Sequence, residues 1–174
     1  FLKLANQNFD YCKGIGVHLI YGFPNQNSKP GFAKKMNWVF TDDLGVRIFD
    51  VRCLPFLFMR RILGFLGPVV KFYQELIIKL NETKPKGYKS LISSDGSLGV
   101  LKDQFYIQYK LQNSNSFFMK IHGKLVWMKI TEMFLLVGDV EECEIETFGK
   151  IIKRIKQFCF VIGVPHIRFN LSEN

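Results

Sequence analysis

The feature that most constrains this chain is an amphipathic stretch near its C-terminal end, Glu144 to Ile162. Ile145, Phe148, Ile151, Ile152, Ile155 and Phe158 recur at helical spacing on one face, and Lys150, Lys153, Arg154 and Lys156 occupy the other. Such a stripe is stable only as a helix laid on an apolar partner. Gly163 supplies a C-terminal cap, and Pro165 leads into a strand-like run, His166 to Leu171. Upstream, Phe117 to His122 and Leu125 to Ile130 flank Gly123-Lys124 and read as a hairpin, with Met133 to Asp139 as a third strand.

The earlier part of the chain alternates in the same way. Residues 1 to 13 read as an amphipathic helix closed by Gly14. Val17 to Phe23 is an apolar, β-rich run suited to a buried strand. Pro24 to Pro30 is a turn, and Gly31 to Met36 a short helix pointing Phe32 inward. Trp38 to Phe40 and Val46 to Val51 are expected to be strands joined at Asp42-Asp43-Leu44-Gly45. Leu54 to Leu80 is helical, split near Gly64, Gly67 and Pro68. The polar stretch Asn81 to Ser97 is the expected boundary, and Phe105 to Leu111 is a short helix or strand.

This order predicts an α/β (α+β) fold, a mixed sheet flanked by helices. A helix, then Gly-(Ile/Val), then an apolar strand occurs at Gly14–Phe23 and again at Gly163–Leu171, which suggests two related halves. The chain opens at Phe1 without an initiator Met or a capping residue, so it is expected to be a piece of a longer protein.

Composition narrows the options. With 174 residues, 48% of them hydrophobic, the chain has enough apolar material for a core. The longest apolar run, Ile62 to Val70, falls short of the roughly 18 residues a spanning helix needs. Cys12, Cys53, Cys143 and Cys159 lack paired spacing and are expected to be free thiols in a cytoplasmic protein. The net charge of +9 favours anionic partners. In a chain this rich in Lys, Ile and Asn, however, Lys is the default surface residue, and nucleic acid is not the expected partner.

Several motifs carry less than they promise. Tyr11-Cys-Lys-Gly-Ile-Gly16 has the glycines of a phosphate loop, but they follow a helix instead of opening one. His18, His122 and His166 have no ligand at metal spacing, so no metal site is expected. No Gly-x-Ser-x-Gly occurs. The acids from Asp139 to Glu146 are placed to complement the dipole of the helix that follows.

The most specific stretch is Leu19-Ile-Tyr-Gly-Phe-Pro-Asn-Gln-Asn-Ser-Lys-Pro-Gly-Phe-Ala-Lys-Lys-Met-Asn-Trp38. It resembles the conserved region of GNAT-type N-acetyltransferases in which a strand ends in Asn-x-x-Ala/Ser and a helix follows. The Gly-Phe-Pro-Asn-x-x-Ser form is similar to tandem GNAT-like proteins of bacterial polysaccharide clusters. The resemblance implies two partial GNAT-like halves: 1–55 as the C-terminal part of one domain, 56–97 as a helical connector and linker, and 98–174 as a second, degenerate half. It also implies acetyl-CoA or another acyl-CoA as cosubstrate, held where two parallel strands splay apart, with Asn25, Ser28 and Phe32 meeting the cofactor arm. The acceptor would be a small-molecule amine, with amino sugars among the candidates. Where the family places a Tyr acid this chain has Phe32, which has no proton to give, leaving Tyr21 as the candidate catalytic residue. The family's pyrophosphate loop is expected just upstream of Phe1. Two alternatives stand beside this expectation. One is an inactive relative that keeps the fold. The other is a non-catalytic module binding an anionic partner through Lys150, Lys153, Arg154 and Lys156, with Phe105, Tyr106 and Tyr109 as candidate aromatic contacts.

Overall fold

The structure, a computed structural model, describes residues 2–22, 24–40, 44–56, 64–91, 101–112, 115–131 and 133–172. The chain divides into two compact units, Phe1–Asp43 with Ser172–Asn174, and Leu44–Leu171.

Among its described residues unit 1 contains two helices, α1 (Leu2–Gly14) and α2 (Lys29–Met36). Ala5, Phe9 and Cys12 form the half-buried face of α1. Trp38 gathers the unit's aromatics, its ring centroid 4.7 Å from Phe32 and 6.5 Å from Phe9. The N–H groups of Ile15, Gly16 and Val17 donate back to the carbonyls of Tyr11, Lys13 and Cys12, a helix C-terminus that leaves none of them for an anion. The expected strand at 17–23 does not form over its described residues 17–22, and Trp38–Phe40 is likewise irregular. Leu19 is 71% exposed and Val39 85% exposed. A β-rich sequence becomes a strand only against a neighbouring strand, and unit 1 has none among its described residues.

Unit 2 is built on a mixed sheet of six strands. β1 (Leu44–Asp50) precedes a 3₁₀ turn (Gly64–Leu66), α3 (Gly67–Asn81) and the two-residue β2 (Glu82–Thr83). Then come α4 (Gln104–Gln112), β3 (Ser116–Ile121), β4 (Lys124–Ile130), β5 (Phe134–Val140), α5 (Ile145–Ile162) and β6 (His166–Ser172). The strands lie in the order β1-β6-β5-β4-β3-β2. The pairs β2–β3, β3–β4 and β4–β5 are antiparallel. β5 and β6 are parallel, in register from Phe134–His166 to Val137–Phe169.

The expected fold class is therefore the observed one, helices with a mixed sheet. The hairpin turn falls on His122-Gly123, whose φ angles of 49° and 81° are those of a two-residue type I′ turn. Alternate residues of β3 to β6 (Phe117, Met119, Val126, Met128, Leu135, Val137, Ile167, Phe169) meet Ile151, Ile155, Phe158 and Ile162 of α5 in one core. Burial of each large side chain there contributes roughly 1.5–3 kcal/mol. α3 adds Ile77 and Ile78 to this core, and the Gln74 amide donates to the Ile162 carbonyl at 2.7 Å, satisfying the end of α5. Phe118 and Ile107, equally buried, belong to a second layer where Phe118 meets the Tyr88 ring at 5.6 Å.

Candidate functional site

In unit 1 the residues of the GNAT-like stretch form a local turn. The Asn25 carboxamide oxygen accepts from the Ser28 N–H at 2.9 Å and lies 3.0 Å from the Ser28 hydroxyl. The Asn25 carbonyl takes the Lys29 N–H at 2.9 Å. This starts α2, with Pro30 in its first turn, where the missing N–H costs nothing. Asn25 is exposed, Ser28 half-buried, and the Phe32 ring packs at a tilt of 56° against Trp38. Tyr21 is 59% exposed on the irregular segment before the turn. The turn thus brings Asn25 and Ser28 together, one helical turn ahead of Phe32. The Asn25 side-chain N–H₂ has no protein acceptor among the described residues.

In unit 2 the densest polar chemistry surrounds Asp139, whose side chain is 3% exposed. The Tyr88 and Ser90 hydroxyls each donate to its carboxylate at 2.7 Å, and Lys102 forms an ion pair with it. Burial, reinforced by the neighbouring Asp139 charge, pushes the Tyr88 hydroxyl far above its ordinary range, so it stays a donor. Asp139 follows a bulge in β5, where the register with β4 shifts between Trp127 and Met128. Gly138 lies beneath the Trp127 ring, leaving no room for a Cβ. Lys110 sits 5.4 Å above the same ring, and the Trp127 indole N–H is buried without a partner among the described residues.

Beyond β5 an open cleft of about 580 Å³ is lined by Lys124, Glu142, Cys143, Glu144 and Thr147 at the start of α5. Lys124 turns its ammonium onto the Glu142 carbonyl at 2.6 Å. Glu144 occupies the N-cap of α5 without bonding its amides, and Glu146 lies in the first turn. These carboxylates complement the dipole and oppose an anion at that terminus. Burial raises the Cys143 thiol, which is therefore not an activated nucleophile.

The histidines do not gather. His166 lies 2.8 Å from Asp50 and stacks 5.2 Å from Phe134, His122 forms the hairpin turn, and His18 is exposed. No group of three metal-binding side chains occurs among the described residues, and no helix among them is long and apolar enough to cross a membrane. The Asp139 cluster is absent from the sequence expectations, and its signal was a lone acid inside the apolar run Leu135 to Val140. No protein-family model, curated protein or solved structure matches the chain.

Proposed function

We propose that the chain belongs to an acyl-CoA-dependent N-acyltransferase of the GNAT type, or a degenerate relative of one. The observation that supports this most is the parallel β5–β6 pair, which follows an antiparallel meander and is joined through one amphipathic helix, with a bulge in β5 beside it. That strand order supports a GNAT-type topology for unit 2, whereas beside Asn25 in unit 1 the described residues 17–22 form no strand. The carboxylates at the start of α5 support reading this half as the degenerate one. Asn25, Ser28 and Phe32 remain the proposed contacts of the cofactor arm.

The chemistry is a single displacement. The lone pair of a small-molecule amine, an amino sugar among the candidates, attacks the thioester carbonyl carbon. The C–N bond forms, the C–S bond breaks, and CoA leaves as a thiolate. A base takes the ammonium proton and an acid, for which Tyr21 is the candidate, protonates the sulfur.

The test is thermal unfolding of the full chain with acetyl-CoA. A ligand bound to the folded state alone raises Tm as its concentration passes Kd. A Tm rise with release of free CoA in the presence of amines supports the reading, and an unchanged Tm at millimolar acetyl-CoA defeats it.

A second reading rests on α5. Lys150, Lys153, Arg154 and Lys156 are all exposed, and only Lys150 has a carboxylate partner among the described residues, Glu146 at 2.7 Å. Such a face would bind an anionic partner with steep salt dependence and no response to CoA.

A further inference from the structure

One apolar stripe in unit 2 has no partner among the described residues. α3 buries Val70, Ile77 and Ile78 on its inner side, yet Val69, Phe72, Leu76 and Leu80 on the other are 60%, 66%, 44% and 72% exposed. Phe65, in the 3₁₀ turn before the helix, is 74% exposed. These five positions are spaced by four, three, four and four residues, the interval of a helix-packing seam. A helix apolar on both sides is normally covered on both.

We propose that this stripe is a self-association surface, occupied by the α3 helix of a second copy of the chain in an antiparallel, two-fold arrangement. The spacing is nearly the same read in either direction. An axis beside Phe72 places Val69 against Leu76 and Phe65 against Leu80 of the other copy, and Phe72 near its own equivalent. Lys71 and Glu75, which pair within one helix at 3.9 Å, are 78% and 55% exposed on the rim. In the antiparallel register each Lys71 comes within a turn of the other copy's Glu75, and the two helix dipoles oppose one another favourably. The area is sufficient. An aromatic side chain carries roughly 150–250 Å², so the stripe presents about 500 Å² per copy, and a pair buries about 1,000 Å², the lower limit for a specific interface. An interface at that lower limit is expected to be weak and reversible. Because each copy carries a net charge of +9, salt should tighten it by screening the repulsion between copies.

The experiment is sedimentation velocity of the full chain at tens of micromolar, in low and moderate salt. The expected result is a dimer that strengthens with salt. Phe72→Asp or Val69→Lys, both at exposed positions, should return it to monomer, while Phe105→Asp, at an 81% exposed position on α4, should leave it dimeric. Register is read by oxidation: Phe72→Cys should give a disulfide-linked dimer beyond that formed by the parent chain, and Leu80→Cys should not. A wild-type monomer at every salt concentration overturns the proposal, including one that sediments with anionic lipid vesicles, since the stripe would then belong to a membrane surface. So does a dimer that survives both stripe variants.

Discussion

The Tyr88 hydroxyl donates to the Asp139 carboxylate at 2.7 Å, tying the stretch ahead of α4 to the end of β5. Ser90 and Lys102 complete the shell around that carboxylate, and the chain from Lys89 to Ser90 pairs with Glu141–Glu142 beside it. Removing one partner from a buried ion pair leaves an uncompensated charge. Asp139→Asn should therefore destabilise by about 3–5 kcal/mol through the stranded Lys102, and Tyr88→Phe by about 1–1.5 kcal/mol. Urea denaturation monitored by circular dichroism measures both.

The same bond has a pH signature. The folded state holds the Tyr88 proton more tightly than the unfolded chain, whose tyrosine ionises near 10. This contribution is complete below that pH and is lost above it, as the unfolded state releases the proton first. Melting temperatures compared between wild type and Tyr88→Phe should converge as pH rises beyond 10. A constant gap would refute the assignment.

Gly163 ends α5 with φ of 69°, and a Cβ there would press into the Phe56 ring. Two penalties coincide, a left-handed backbone and a side-chain overlap. Gly163→Ala should cost about 1–3 kcal/mol, more than alanine at the open, helical Gly149, which should be neutral or slightly stabilising. Parallel thermal melts of the two variants decide the order.

How far the sequence reached depends on where the information lies. α5 was legible because its period of apolar residues is set by the core it covers. The β3–β4 hairpin was legible because alternation and a glycine turn agree, although His122 takes a positive φ and moves the turn by one residue. The strand expected at Val17–Phe23 failed over its described residues because β-branched and aromatic composition reports packing partners the local sequence cannot supply. In the sequence Asp139 groups with the acids that follow it, as a complement to the helix dipole. Its real partners stand 37, 49 and 51 residues away, and only the bulge and the fold bring Lys102, Ser90 and Tyr88 to it. The expected Asn25 turn is present as local geometry, and the turn at Asp42-Asp43 lies outside the described residues.

Thiol chemistry should follow burial. Cys159 is fully buried, and burial, with Cys53 nearby, pushes its thiol up to about 12. Because the thiolate is the reactive form, iodoacetamide at neutral pH should spare Cys159 in the native protein and modify it only after unfolding, as peptide mass mapping would reveal. Early labelling of Cys159 would mean that α5 opens locally.

Asn25 offers the sharpest separation of structure from ligand recognition. Its carboxamide oxygen holds the Ser28 N–H, while its N–H₂ faces no protein acceptor among the described residues. Asn25→Asp keeps the oxygen acceptor and removes the donor, so the turn and α2 should survive with a stability change within about 0.5 kcal/mol. Asn25→Ala removes both and should cost about 0.5–1 kcal/mol by loosening the start of α2. If that N–H₂ meets an amide carbonyl of an acyl-CoA arm, both variants lose the thermal response to acetyl-CoA, although only the alanine loses stability. If the residue only shapes the turn, Asn25→Asp keeps the full response. Melting curves of the three proteins with and without acetyl-CoA therefore distinguish a structural asparagine from a ligand-binding one.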